Sequence, residues 1–524
     1  MGFNRALYHC QGSRSGSEDI TAVPNKPKKE NSTPSSNVTK TVPPTVVKPV
    51  PTPTVTSETV TKDTVAPEVL ETKSSAVVTN SAPTTDVESR NTETSATHSA
   101  PDNANELPAF LIVLLKKIAE QEGFTDYTFE VSAGSNHADG FLAVIKRVIV
   151  SGSRNGTADK LPLICKLMPT SKARREQFNS DAVFIREAFM YSKLLPLFAE
   201  FQKEKGLSAT DSFCEYPKCY GTLDDKQNDH FVIVLEDLKA SGYLMFDKLK
   251  AADFNHVRLF AESLGKFHAV SFALKDQRPE VFAQFKPLQD VFVQQVLDKP
   301  EEMGQMFAFF FDKAIGALKP EDTAEIKAMT ELKANTMEEL KATASGEAAE
   351  PFSIVNHGDC WNNNMMYVYG SESDIPVNIS LLDFQISRYS SPALDLVYFL
   401  FSSTDKTLRD SYYTEVIQLY HKALSTNLTK LGSDAEKLFS FNDLQDQLKK
   451  FGRYALIIAP MLLNIITSKP DDIPDLDNLA EEFKDKSIEE GMKAFINDSA
   501  NDKFNGRMRD VIQDVIRLGY YDKQ

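Results

Sequence analysis

Apolar and polar positions alternate with two different periods along this chain. From Leu107, LPAFLIVLLKKIAEQEGF repeats its apolar residues at helical spacing and predicts an amphipathic helix. YTFEVSAGSNHADGFLAVIKRVIVSG then reads as strand, polar glycine-containing turn and strand, the second run (Phe141 to Val150) rich in Val, Ile and Leu. LPLICKLMP is a further short strand with one charge, Lys166, at its apolar centre. SDAVFIREAFMYSKLLPLF places Phe184, Ala188 and Tyr191 on one helical stripe with Glu187 beside it, and HFVIVLEDLKASGY is a strand running into an acidic turn. From NHVRLFAESLGKFHAVSFAL onward helical patterns dominate. They are broken by VNHGDCWNNNMMYVY and VNISLLDFQISRYSSPALDLVYFLFSS, and SYYTEVIQLYHKALSTNL, LQDQLKKFGRYALIIAPMLLNII and DKFNGRMRDVIQDVIRLG read as long helical segments. No internal repeat is visible. The pattern predicts an α+β chain: a small antiparallel sheet carrying one helix, then a larger, mainly helical lobe.

Composition changes the picture upstream. Every aromatic residue except Phe3 and Tyr8 lies at Phe110 or later, and the stretch between is written mostly in Ser, Thr, Pro, Val and Asn. So little bulky apolar surface cannot offset ordering entropy, so residues 1–106 are expected to be a disordered extension. The remainder divides into 107–238, the sheet-bearing N-lobe, and 239–524, the helical C-lobe. Residues 1–106 carry 10 basic and 12 acidic side chains, so nearly all of the net charge of −16 belongs to the rest of the chain. An acidic surface argues against a nucleic-acid partner. The five cysteines are scattered and form no zinc pattern, the N-terminus has no apolar signal region, and AFLIVLLKKIA is too short to span a bilayer. A cytoplasmic protein without a membrane span is the expectation.

The chemistry concentrates in the two polar interruptions. His357, Asp359 and Asn364 fit H-x-D-x-x-x-x-N, in which the aspartate faces an attacking hydroxyl and the asparagine oxygen binds Mg²⁺. Asp383 follows an apolar strand and offers a second acid to the metal, since Mg²⁺ prefers oxygen ligands and substrate phosphates. Upstream, Lys166 on a strand and Glu187 on a helix could form the ion pair that aims an ammonium at nucleotide phosphates. Each piece has a bland alternative: a snorkelling lysine, a solvated glutamate, an Asp-aromatic turn, an Asn-rich hairpin. The order of the pieces (turn, strand lysine, helix glutamate, acidic hinge, catalytic loop, metal aspartate) favours phosphoryl transfer.

HGDCWNNNMM, LLDFQISRYSSPALDLVYFLFSS, VLEDL, LGKFHAVSFAL and FIREAFMYSKLLP together resemble the insect ecdysteroid kinase-like family, also called choline-kinase-like, within the aminoglycoside-phosphotransferase and choline-kinase group. The resemblance spans about residues 107–524. It implies a bilobal protein-kinase-like fold, ATP and Mg²⁺, and phosphorylation of a small-molecule hydroxyl. It further implies Asp359 as catalytic base, Asn364 and Asp383 as metal ligands, and Lys166 with Glu187 as the phosphate-anchoring pair. Gly134, Ser135 and Asn136 would form the phosphate turn, and Glu236, Asp237 and Leu238 the interlobe hinge that meets adenine. His357 and Asp395 would support the catalytic loop. Where the family's turn reads Asn-Tyr-Ala-Ser, this chain has Asn136-His137-Ala138-Asp139, which puts a carboxylate beside the polyphosphate unless Asp139 turns away.

Only about ten residues separate Asp383 from the SPALDL helix, too few for a peptide platform, so no protein substrate is expected. Gly358 stands where many protein kinases carry an arginine, and Gln385 where they carry a glycine. Met306, Phe307, Phe309, Phe310 and Phe311, and the run from Tyr454 to Ile466 around Pro460, read first as core. If part of either lines a cleft, the acceptor is lipophilic, an ecdysteroid or a xenobiotic alcohol. A choline- or aminoglycoside-type kinase and a catalytically silent binding protein of the same fold remain the alternatives. All of this requires the acids to converge on one site, and a buried ion pair filling the gap between the lobes would count against it.

Overall fold

The computed structural model describes residues 106–134, 143–177, 179–371, 373–468 and 501–522. The Ser/Thr/Pro-rich stretch before Glu106 therefore lies outside the described residues. Helix α1 (Ala109–Gln121) is followed by strands β1 (Phe124–Ala133), β2 (Val144–Arg154) and β3 (Thr157–Leu167). Helices α2 (Lys172–Gln177), α3 (Ser180–Phe189) and α4 (Leu195–Glu204) come next, with a π turn at Met190–Leu194 joining α3 to α4. Strands β4 (Cys219–Asp225) and β5 (His230–Glu236) complete an antiparallel sheet in the order β1-β2-β3-β5-β4.

Alternation decides which residues of this sheet face what. Val232 and Val234 of β5 pack with Leu163 and Cys165 of β3 against Leu111, Leu115 and Ile118 of α1. Phe231, Ile233 and Leu235, one residue out of phase, join the larger core with Phe184, Tyr191 and Phe198. Lys166 follows the inward-facing phase, and this alone aims it away from α1. The β2–β3 hairpin turns at Asn155-Gly156, both with positive φ, as a two-residue turn requires. That Asn-Gly signal explains why β3 begins at Thr157, earlier than the apolar run alone predicts.

Beyond the sheet lie a two-residue strand β6 (Leu244–Met245) and the long helix α5 (Phe254–Gln277). The insertion after it contains α6 (Pro279–Phe282), α7 (Val291–Asp298), α8 (Pro300–Gly316), α9 (Thr323–Ala334), α10 (Thr336–Ala344) and α11 (Gly346–Ala349). The two polar interruptions form β7 (Ile354–Val355), β8 (Met365–Tyr369), β9 (Pro376–Leu381) and β10 (Tyr389–Ser390). Here β8 pairs with β9 and β6, and β7 with β10. Helices α12 (Ala393–Ser403), α13 (Lys406–Lys430), α14 (Ala435–Leu438), α15 (Phe441–Phe451), α16 (Tyr454–Thr467) and α17 (Asn501–Arg517) follow among the described residues. The α+β class is as the pattern predicts.

One segment read as continuous is broken. LQDQLKKFGRYALIIAPMLLNII divides into α15 and α16, bent by 65°. A Cβ on Gly452 would lie 2.4 Å from the Leu448 carbonyl oxygen and 2.6 Å from the Tyr520 ring, so the corner closes only around a glycine. Phe307, Phe310 and Phe311 of α8 and nearly all of α16 belong to the core, in line with their default reading. Among the described residues no single helix is long and apolar enough to cross a membrane. Among the described residues Cys165, Cys214, Cys219 and Cys360 form no disulfide.

A buried ion pair ties the insertion to the segment after β9. Arg388, fully buried, meets Asp290 at 2.8 Å, and Asp290 also caps α7 by accepting the Phe292 and Val293 amides. The guanidinium lies over the Tyr454 ring at 5.0 Å. Removing one member of a buried pair leaves the other charge without compensation. Asp290→Ala should therefore lower unfolding stability by about 3–5 kcal/mol, read from the midpoint of urea denaturation. A loss below about 1 kcal/mol would show that Arg388 does not depend on this carboxylate.

Candidate active site

Two short hairpin ends and one buried helix assemble the site. Register places Met365 opposite Leu381, so Asn364 and Asp383 stand at the same open end of the β8–β9 hairpin. The Leu382 amide donates to the Asn364 carbonyl at 2.9 Å and closes that end. Asp383 sits in the left-handed region at φ 59°, which swings its carboxylate out of line with β9. On the other side, the Asn364 amide donates to the Asp359 carbonyl oxygen at 3.1 Å and to Asp359 Oδ2 at 2.8 Å. Asp359, Asn364 and Asp383 thus come together around one hairpin mouth. Asn362 and Asn364 of the three-Asn run do different jobs. Asn362 is buried, donating to the Lys250 and Ser403 carbonyls while its own amide bonds Ser403 Oγ, so it fixes the loop.

The catalytic-loop candidate hangs from α12. Asp395, fully buried, accepts the His357 amide at 2.7 Å and the Gly358 amide at 2.9 Å. Its Oδ2 also meets His268 Nε2 at 3.1 Å, and His268 Nδ1 hydrogen-bonds the Tyr420 hydroxyl at 2.7 Å. Burial pushes the Asp395 carboxyl up, but His268 and the nearby Arg388 outweigh it and hold it below the usual range. Gly358 has φ +92°, and a Cβ there would meet the Ile386 carbonyl oxygen at 2.2 Å. No arginine fits this position, so the glycine is a steric requirement of the loop as well as a lost phosphate reader. His357 is buried against the Phe384 ring at 4.5 Å, and its Nδ1 accepts the Asp359 amide at 3.3 Å.

Asp359 is the most heavily bonded carboxylate in the loop. Oδ2 accepts from Asn364 at 2.8 Å and from Gln385 Nε2 at 3.2 Å, and Oδ1 accepts the Tyr398 hydroxyl at 2.8 Å. Burial pushes its carboxyl up to about 6, the Tyr398 hydrogen bond works against this, and the Asp383 charge adds to it. Neither Tyr398 nor Gln385 stands out in the sequence as a partner of Asp359. The available signal for Tyr398 is its position three residues after Asp395, on the same face of α12.

Lys166 and Glu187 meet as their spacing predicts, at 2.7 Å. Lys166 Nζ also bonds Asp383 Oδ1 at 2.5 Å, crossing from the sheet to the hairpin mouth. Burial pulls the ammonium down, but the two carboxylates outweigh it and hold it well above its ordinary value. Glu187 is pushed up by burial against the pull of Lys166. This ion pair links the sheet to the hairpin mouth. The Asp383 side chain is 34 % exposed against 8 % for Lys166, so the contact is buried at its Lys166 end and reaches solvent at its Asp383 end. Arg186, the neighbour of Glu187, donates to the Gln289 carbonyl at 2.9 Å and to the Ser387 carbonyl. It thereby clamps α3 to the same segments that carry Asp290 and Arg388.

The remaining expected residues are placed less completely. Gly134 ends β1 with its amide on the Ile145 carbonyl at 3.0 Å, and a Cβ there would lie 2.5 Å from the Ile145 side chain. Ser135, Asn136 and Asp139 lie outside the described residues. At the hinge, the Glu236 amide bonds the Lys218 carbonyl at 2.8 Å and the Asp237 amide the Pro162 carbonyl at 3.2 Å. The Asp237 carboxylate pairs with Arg147 at 2.8 Å and caps the following turn through the Lys239 amide. The Leu238 amide, first in that turn, has no protein acceptor among the described residues. Among the described residues no cluster of three or more His, Cys, Asp or Glu could hold a metal. One carboxylate and one amide oxygen suit a hard cation that takes its other ligands from phosphate and water.

The profile of the ecdysteroid kinase-like family matches residues 137–433. A search of curated protein sequences finds no match. Among solved structures, the GDP complex of aminoglycoside 2'-phosphotransferase-IIIa is similar over 75 % of this chain and 98 % of its own, with 12 % identity and a TM-score of 0.34. The AMP-bound spectinomycin phosphotransferase APH(9)-Ia is similar over 69 % of this chain and 90 % of its own, with 9 % identity and a TM-score of 0.27. Structural likenesses of this size carry no weight for the chemistry.

Burial of His357 makes the loop acid-sensitive. Burial holds the imidazole at about 4, against an ordinary 6.5. The unfolded chain therefore binds the extra proton between these values, and stability rises with pH across the window. The contribution is complete above about pH 6.5 and is lost as pH falls toward 4, amounting to roughly 3 kcal/mol. His357→Gln should flatten the stability-against-pH curve there, measured by denaturant midpoints at stepped pH. An unchanged slope would place the acid sensitivity elsewhere.

Proposed function

The chain belongs to the ecdysteroid kinase-like family, and from that footing we propose that it is a small-molecule kinase that moves the γ-phosphoryl group of Mg·ATP to an acceptor hydroxyl. The observation that carries this reading is the convergence of Asp359, Asn364, Asp383 and Lys166 at one hairpin mouth, from three separate parts of the chain. Phosphoryl transfer asks little covalent help of a protein. It asks for charge neutralisation, alignment and a place for one proton.

In this proposal Asp383 and the Asn364 amide oxygen hold Mg²⁺, whose charge offsets that of the phosphates. Lys166, kept protonated by its two carboxylates, exchanges Asp383 for the phosphate oxygens while Glu187 retains it. The free Leu238 amide is the hinge donor to adenine. Asp359 accepts the proton of the attacking hydroxyl: the acceptor O–H bond breaks, an O–P bond forms, and the bond from the γ-phosphorus to the bridging oxygen breaks to release ADP. The short segment between Asp383 and α12 supports a small acceptor.

The acceptor is assigned as an ecdysteroid or xenobiotic alcohol on family grounds. The apolar residues of α8 and α16 do not support lipophilicity, because most are buried in the core. A choline- or aminoglycoside-type acceptor remains the alternative within the same chemistry. One observation favours a silent binding protein instead: Lys166 is already satisfied by two carboxylates.

Two measurements test these readings on the full chain. ADP release from Mg·ATP with ecdysone should fall about 10²- to 10⁴-fold in Asp359→Asn at an unchanged melting temperature. Parent-level turnover in that variant would overturn the assignment of Asp359. Mg·ATP should raise the melting temperature of the parent, by the equivalent of about 2.7 kcal/mol at a hundredfold excess over Kd. No rise would remove the nucleotide site.

A further inference from the structure

A carboxylate offers about four positions to hydrogen-bond donors, two on each oxygen. On Asp359 the Oδ2 positions are both taken, by Asn364 at 2.8 Å and Gln385 at 3.2 Å. Oδ1 takes one donor, the Tyr398 hydroxyl at 2.8 Å. No other described residue donates to Oδ1, so that oxygen takes one donor fewer than Oδ2. The donors come from three elements: the end of the catalytic loop, the turn after Asp383, and α12. Together they fix the plane of a side chain whose terminal torsion is otherwise broad.

We propose, on the reading that Asp359 faces the attacking hydroxyl, that Tyr398 is a positioning residue: by occupying one side of Oδ1 it leaves the other side of that oxygen as the place where the acceptor hydroxyl docks. The phenol suits this task. Tyr398 is 6 % exposed in a helix whose residues are all buried, so it cannot swing into solvent. It lies one turn along α12 from Asp395, which holds the backbone amides of the same loop. One face of one helix therefore sets both the backbone and the side-chain plane of the loop. A phenylalanine would fill nearly the same volume and remove the one donor on Oδ1, leaving the carboxylate plane held from the Oδ2 side alone.

Tyr398→Phe in the full chain tests the inference, with ADP release measured from Mg·ATP using ecdysone and, separately, water as acceptor. The expected result is a kcat lower by about 10- to 100-fold with the nucleotide KM within twofold of the parent. The stabilisation of the folded protein by Mg·ATP should be retained, which shows an intact nucleotide site. A merely structural role would move kcat and nucleotide KM together and reduce that stabilisation, and this result overturns the proposal. A parent-level kcat in Tyr398→Phe, while Asp359→Asn is inactive, sinks the inference and spares the assignment of Asp359. Parent-level turnover in Asp359→Asn sinks that assignment and this inference with it, as does a parent that releases no ADP with either acceptor.

Discussion

A single buried carboxylate organises the site. Asp395 lies at the start of α12, cut off from solvent, and its two oxygens accept the amides of His357 and Gly358. A charge in such a place is tolerable only if it is fully bonded. His268 supplies the further donor and is itself held by Tyr420. Loop, α5, α12 and α13 are locked to one another through this one group. The loop's unusual backbone, with Gly358 pressed on the Ile386 carbonyl, persists because the surrounding bonds over-determine it.

The second constraint is electrical and joins the sheet to the rest. Lys166 stands between Glu187 and Asp383, one cation shared by two acids. Arg186, next to Glu187 in the chain, bonds the Gln289 and Ser387 carbonyls, and Arg388 pairs with Asp290. The helix bearing Glu187 is therefore pinned to the helical part by its own neighbouring residue.

Most elements were legible because their apolar periods are clean. The strand bearing Lys166, the helix bearing Glu187 and the H-x-D-x-x-x-x-N loop could each be placed from spacing alone. The break at Gly452 was not legible, since a glycine within a helical pattern is tolerated unless another segment presses on it, and here Tyr520 does. The early start of β3 was legible in Asn155-Gly156, a turn signal that the apolar run obscures. Tyr398 and Gln385 looked like ordinary helix and turn residues, because nothing local marks a side chain whose partner lies 39 or 26 positions away.

The chain on its own determined on which kind of element each candidate residue sits, because periodicity and turn chemistry act over a few neighbouring residues. It determined also that the segment after Asp383 is short. Only the folded molecule decided that Lys166 serves two acids, that Oδ1 of Asp359 takes one donor where Oδ2 takes two, and that the apolar helices lie mostly in the core, with Ile466 and Thr467 at the end of α16 lining a cavity. Those outcomes depend on directions and distances between segments up to 217 positions apart. Such distances follow from how the elements pack, and no local pattern encodes them.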